Sequence, residues 1–254
     1  MANRNAQDGR ATKAERKEQA RRDRLEIERR MARSKRNRWI AIAVVVVVVA
    51  AVGAFVVTRP KPATADAAPA KLLAAAASQA STAGCSEVQA VEPYQPQDQD
   101  RAHIGANGGP AQMPALSSYP SVPPTSGPHS AQPLAAGVYS TAPPIDQLIH
   151  SLEHGAAVVW YAPGTSGPQL AKIQDFYRGS EGTRVIVAPY DYPDEGTAGQ
   201  LSAGTEMALV SWHHLQTCAS ANLAVAFGFT AHYASPPFSG QEYLGDAPEP
   251  GAAL

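Results

Sequence analysis

The longest apolar run in the chain extends from Trp39 to Val57, 19 residues with neither a charge nor a proline. A helix of that length, at ~1.5 Å rise per residue, spans roughly 28 Å, close to the hydrocarbon thickness of a bilayer. Valine is a modest helix former in water, but in lipid the backbone must bond to itself, and a helix does so. The pattern predicts one transmembrane helix over 39–57. Residues 58–84 are Ala- and Pro-rich and read as a tether, with a short helix over Lys71 to Ala80. Only residues 85–234 carry enough patterned apolar side chains to build a core, and they make one domain of ordinary size. Within them, residues 103–144 are dense in Pro, Gly and Ser and predict loops and turns. A helix is expected over 145–154, with Asp146 near its start and Gly155 just past its end. Another is expected over 168–178, where Leu170, Ile173, Phe176 and Tyr177 fall at helical spacing. Strands are expected over 156–161, 184–188 and 207–212, and a last helix over 217–233. Residues 235–254 are Pro- and Gly-rich and read as a flexible tail. The order helix, strand, helix, strand, strand, helix predicts an α+β domain, or a small α/β one, preceded by one membrane helix.

Charge sharpens the membrane reading. The 254 residues carry a net −1, but residues 1–38 hold 14 Lys and Arg against 6 Asp and Glu, while residues 39–254 hold 7 against 16. The basic segment ends at Arg38, directly against the apolar run, with only Arg59 and Lys61 close on the far side. The positive-inside bias then puts residues 1–38 in the cytoplasm and about 195 residues outside the cell membrane. Trp39 fits a membrane interface. A 38-residue lead and a 19-residue run are both long for a signal peptide, so an uncleaved single-pass anchor is expected. Ala63-Thr64-Ala65 supplies a small-residue site that keeps cleavage as the alternative. The basic segment is read as a topology determinant in contact with anionic lipid, at roughly 1 kcal/mol per basic residue. Nucleic acid is not an expected partner. Collagen, coiled-coil and multi-span classes are excluded by pattern, and no P-loop or dinucleotide fingerprint is present.

Candidate chemistry is confined to the 85–234 region. Cys85 and Cys218 both fall on the outer side of the span. An even pair in an oxidising compartment reads first as a disulfide, with soft-metal or thiol chemistry as the alternative. All seven histidines lie in the same region. His150 and His154 stand four apart, and on a helix Asp146, His150, Glu153 and His154 share one edge while Leu148, Ile149 and Leu152 share the other. Two imidazoles at that spacing can share a metal ion, with a carboxylate as ligand or orienter. His103 lies in a loop, and His129 follows the turn-rich Pro123-Pro124-Thr125-Ser126-Gly127-Pro128. The letters 150–154 also spell H-x-x-E-H, a zinc-peptidase pattern in which Glu153 would serve as the catalytic base. That pattern needs a further acidic ligand downstream, and none stands out between Glu206 and Glu242. His213, His214 and His232 are read as surface or core residues.

A set of segments resembles the bacterial family called domain of unknown function 3105. They are His103, Pro-Pro-Thr-Ser-Gly-Pro-His at 123–129, Gly137-Val138-Tyr139, His150-Ser151-Leu152-Glu153-His154-Gly155, Tyr161-Ala162-Pro163, and Val185 to Tyr190. The resemblance covers roughly residues 85–235. It implies a single-pass membrane protein with an extracytoplasmic domain and supplies no assigned reaction. Two positions depart from the family's usual pattern: Ala136 stands where members carry Cys, and no Trp follows His129 nearby. The expectation is an anchored domain that binds copper or zinc through His103, His129, His150 and His154, with Glu153 as orienter or occasional ligand. The alternatives are a non-catalytic module contacting an envelope protein and a zinc-dependent hydrolase.

Overall fold

The computed structural model describes residues 69–106, 108–178 and 184–254. The basic segment (1–38), the segment expected to form a membrane helix (39–57) and the first part of the expected tether lie outside them. Among the described residues no helix is long and apolar enough to cross a membrane. In chain order the elements are α1 (Pro69–Thr82), β1 (Gln89–Ala90), β2 (Gly137–Val138), α2 (Ile145–Glu153) and β3 (Ala157–Tyr161). They continue with α3 (Pro168–Arg178), β4 (Val185–Pro189), β5 (Met207–Ser211), β6 (His214–Cys218) and α4 (Leu223–Tyr233).

β3, β4 and β5 are buried at every position. Strands apolar on both faces belong in the middle of a sheet covered on both sides, and that is where they lie. The six-stranded sheet has the order β1-β6-β5-β3-β4-β2. β3 and β4 are parallel and joined by α3, as a parallel crossover requires. β5 runs antiparallel to β3, with Val159 opposite Leu209, and β6 returns antiparallel to β5. The architecture is α+β, as expected.

Alternation along the strands sorts the core into two clusters. Ala157, Val159, Tyr161, Val185, Val187, Met207 and Leu209 face the helices α1, α3 and α4. α4 is apolar nearly all round, as befits a buried helix. Gly228 lets α1 approach it, since a Cβ there would stand 2.5 Å from the Ala76 Cβ. Val158, Trp160, Ile186, Ala188, Ala208 and Val210 face the other way, toward Leu148, Ile149 and Leu152 of α2 and toward loop residues such as Leu116, Tyr119 and Leu134.

Three boundaries differ from expectation. The helix expected over 217–233 starts at Leu223, because Thr217 and Cys218 pair with Ala208 and Met207 in β6. Within the segment read as a tether, residues 69–82 are helical and Leu72 is buried against the core. The segment from Ser235 is not loose. Its backbone bonds back to the turn after α2: Ser235 N–H to Gly155 O (2.8 Å), Glu249 N–H to Glu153 O (3.1 Å) and Gly251 N–H to His154 O (3.1 Å). Pro and Gly composition marks absent regular structure, but such chain can still be ordered by hydrogen bonds to its neighbours. Cys85 and Cys218 form a disulfide that ties the residues after α1 to the end of β6. This leaves no free thiol and removes the soft-metal alternative for that pair.

Candidate metal centre

The loop before α2 has no regular structure of its own, so side chains and short backbone pairings fix it. Asp100 is buried and does most of this. Its Oδ1 accepts from the Tyr94 N–H (2.7 Å) and the Ser126 hydroxyl (2.5 Å), and its Oδ2 lies 2.9 Å from His213 Nε2. The segments carrying His103 and His129 pair with each other: Ile104 N–H donates to His129 O (2.8 Å) and His129 N–H to Ala102 O (3.0 Å). Ser151 of α2 holds the next stretch, accepting from Leu134 N–H and donating to Leu134 O, both at 2.8 Å. α2 ends at Glu153 because Gly155 turns the chain at φ +86°. His154 is the cap residue, and no Cβ fits at Gly155, where Ser235 would stand 2.7 Å away.

These constraints bring three histidines and a carboxylate together. One donor atom from each of His103, His129, His150 and Glu153 lies within 4.8 Å of all the others. The His103 and His150 rings stack at 5.1 Å, and the His129 ring stands edge-on to both at 5.0 Å. His129 is fully buried, and His150 and Glu153 nearly so. His154 is outside that common reach but adjoins it, its Nε2 2.9 Å from His150 Nε2.

The tautomers follow from the partners. The Nδ1–H of His129 donates to Gly127 O (2.8 Å), that of His150 to Ser130 O (2.6 Å) and that of His154 to Ala253 O (2.6 Å). A carbonyl carries no proton, so each Nδ1 does. The neutral ring then presents its Nε2 lone pair. This is the arrangement by which outer partners orient metal-binding imidazoles. Nε2 of His103 and of His129 is buried with no hydrogen-bond partner. His129 Nε2 faces Glu153 Oε2 at 3.0 Å, an ion-pair separation, and His103 Nε2 lies 4.0 Å from the same oxygen. Two neutral rings at the His150–His154 contact would set lone pairs face to face, a repulsion that a shared cation removes. Two ligand atoms ~2.0–2.1 Å from one zinc-sized ion sit about 2.9–3.4 Å apart at bond angles of ~90–109°. The His150–His154 and His129–Glu153 separations fall in that span.

Electrostatics suits ligation. Burial lowers the pKa of His150, and the nearby His129 and His154 lower it further against the opposing bond to Ser130, so the neutral ring is favoured. Burial alone would raise Glu153, but His129 and Arg101 outweigh it and hold the carboxyl at about 2. Arg101 donates from Nε to Glu153 Oε1 (2.6 Å) and from Nη2 to Glu249 Oε1 (2.8 Å). Neither Arg101 nor Glu249 was singled out in the sequence. The sole signal for Glu249 is the Pro-Glu-Pro at 248–250. The remaining histidines stand apart: His213 on Asp100, His214 near Asp246 (3.6 Å) and His232 on Glu242 O (3.0 Å).

A family model described as a protein of unknown function, DUF3105, matches residues 112–248. The chain belongs to the DUF3105 family. No curated protein and no solved structure matches it. The DUF3105 match includes His129, His150, Glu153 and His154, while His103 precedes it and Glu249 follows it by one residue. Membership thus assigns no reaction, and the chemistry rests on the geometry above. That cluster can hold a metal ion.

Proposed function

We propose that this DUF3105 protein is a single-pass, membrane-anchored extracytoplasmic protein whose histidine cluster binds a transition metal ion, copper or zinc. The observation that carries the metal reading is the convergence of ligand atoms from His103, His129, His150 and Glu153 within 4.8 Å of one another, with His103 Nε2 buried and without a hydrogen bond. Buried polar nitrogens without hydrogen bonds are uncommon in folded proteins, and an ion would satisfy this one. A donor set of imidazoles with one carboxylate suits zinc or Cu(II). The anchor rests on the apolar run 39–57 and the basic segment before it. It places the cluster on the outer side, where an envelope protein is a possible source or recipient of the ion. A hydrolase using Glu153 as base is disfavoured, because Oε1 of Glu153 accepts from Arg101 and its Oε2 faces His129, so neither oxygen is free to take a proton from a water.

Titration of the purified full chain in detergent with Zn(II) and with Cu(II) tests the reading. The expected result is one ion per chain, with affinity falling as pH drops below about 6, where free imidazoles protonate. Combining His150→Ala with His154→Ala removes binding. Wild-type binding no tighter than millimolar, or binding unchanged in the double variant, ends the proposal.

A further inference from the structure

Arg101 treats two carboxylates alike. It holds Oε1 of Glu153 and Oε1 of Glu249, and in each case the free Oε2 is turned toward a histidine Nε2. For Glu153 that partner is His129 at 3.0 Å, and for Glu249 it is His154 at 3.6 Å. The two pairs differ in depth. The His129 and Glu153 side chains are 0% and 4% exposed, whereas those of His154 and Glu249 are 12% and 50% exposed. His150 belongs to both, since its Nε2 faces His154 and it lies within the inner group. The outer pair is built into the fold: Glu249 N–H bonds to Glu153 O, Gly251 N–H bonds to His154 O, and Arg184 donates to Gly251 O (2.7 Å).

We infer that His154 and Glu249 form an outer metal-ion station, which captures the ion at the surface and passes it through His150 to the buried His103, His129 and Glu153. This deepens the metal-binding reading and rests on it. Direction follows from the donors. The outer carboxylate is half in water, while the inner group offers two nitrogens that have no other partner. Ligand exchange at His150 lets the ion move inward without ever losing all its protein ligands. A negative group at the mouth of a site raises the capture rate of a cation, and a group absent from the final ligand set leaves the equilibrium affinity nearly unchanged.

The test is rapid mixing of the full chain with Cu(II), followed by quenching of tryptophan fluorescence. Trp212 is a built-in reporter, its ring 6.3 Å from that of His129. Glu249→Gln is expected to slow loading about tenfold and to change Kd by less than about threefold, whereas His129→Ala weakens Kd by about 10–100-fold. The wild-type loading rate also falls more steeply with ionic strength than that of Glu249→Gln. Glu249→Lys, at the same half-exposed position, repeats the test with opposite charge if the Gln variant fails to fold. Wild-type binding with unchanged loading in Glu249→Gln overturns the inference and leaves the metal reading standing. So does a loss of affinity in Glu249→Gln as large as that in His129→Ala, or two ions bound per chain at saturation. Failure of the wild-type chain to bind Cu(II) ends both.

Discussion

On one face of the sheet, α1, α3 and α4 lay apolar side chains over Val159, Val187 and Leu209. On the other, α2 and the loops from Tyr94 to Leu134 cover Val158, Trp160 and Val210. The first face is held by burial, which is non-directional and tolerates rearrangement. The second is held by directed bonds, at Asp100, at Ser151 and along the His103–His129 pairing, and it carries all the buried aspartate, glutamate and histidine among the described residues. A fold can therefore assign stability to one face and chemistry to the other. The helical face gives the sheet a rigid back, and the loop face can then afford to hold unpartnered nitrogens.

If that division is right, damage to the helical face lowers stability while leaving the proposed metal site intact in whatever fraction remains folded. The largest such effect is expected from the disulfide, which links residues 133 apart. In the chain-entropy model a closed loop of that length stabilises the fold by about 5 kcal/mol. Replacing Cys85 and Cys218 with Ala should lower the unfolding midpoint sharply in denaturant titrations. Kd for Zn(II) measured well below that midpoint should stay within a few-fold of wild type. Next comes Ile173→Ala on α3, at a fully buried position, expected to cost about 2–5 kcal/mol with Kd again unchanged. A parallel loss of affinity in either variant would mean that the faces are coupled and the comparison is wrong.

The same division explains what could be read from the sequence. The helical face declares itself locally: Leu170, Ile173 and Tyr177 recur at helical spacing and all are buried. So do the apolar runs of β3, β4 and β5. β6 escaped because His-Leu-Gln-Thr-Cys alternates weakly and adjoins an apolar helix, so Thr217 and Cys218 read as helix until pairing with β5 claimed them. β1 and β2 are two residues each, too short for any period. On the loop face only the residues of α2 and its cap, among them His150, Glu153 and His154, are placed by local spacing. His103 and His129 meet through pairing of two aperiodic segments. Arg101 and Glu249 meet across 148 positions, through a segment whose composition reads as loose. Such contacts leave no periodic trace, and the guides to His103 and His129 were the turn-rich lead before His129, the concentration of histidines in one region and the resemblance to a family.

Acid separates the two faces further. The Glu153 carboxyl, held at about 2 against an ordinary 4.5, contributes stability that is complete above about 4.5 and lost as pH falls toward 2. The integrated contribution is on the order of 3 kcal/mol. His150 is also lowered, so the unfolded chain takes up that proton first and stability declines as pH falls below about 6.5. Thermal unfolding of the metal-free chain should therefore show a falling midpoint from pH 7 to pH 3. His150→Gln should flatten the upper part of that decline and Glu153→Gln the lower part. A profile unchanged by both substitutions would place the acid-sensitive groups elsewhere.

The smallest effect discriminates most finely. Ser151 is fully buried, and its hydroxyl both accepts from and donates to Leu134. Ser151→Ala removes one oxygen and creates almost no cavity, so on a face held by burial it would scarcely register. On this face it leaves the Leu134 carbonyl without that donor and weakens the hold on its N–H, which keeps only the longer bond to Gln147 O (3.2 Å). The cost should be about 1–2 kcal/mol in denaturant titration. The stretch it anchors runs back to Ser130, whose carbonyl accepts from His150 Nδ1–H and sets that ring. Affinity for Zn(II) should fall with it by about tenfold, the usual scale for losing an outer partner of a metal-binding histidine. A stability loss with undiminished affinity would show that the His150 ring is fixed by packing between His103 and His129 rather than by the loop.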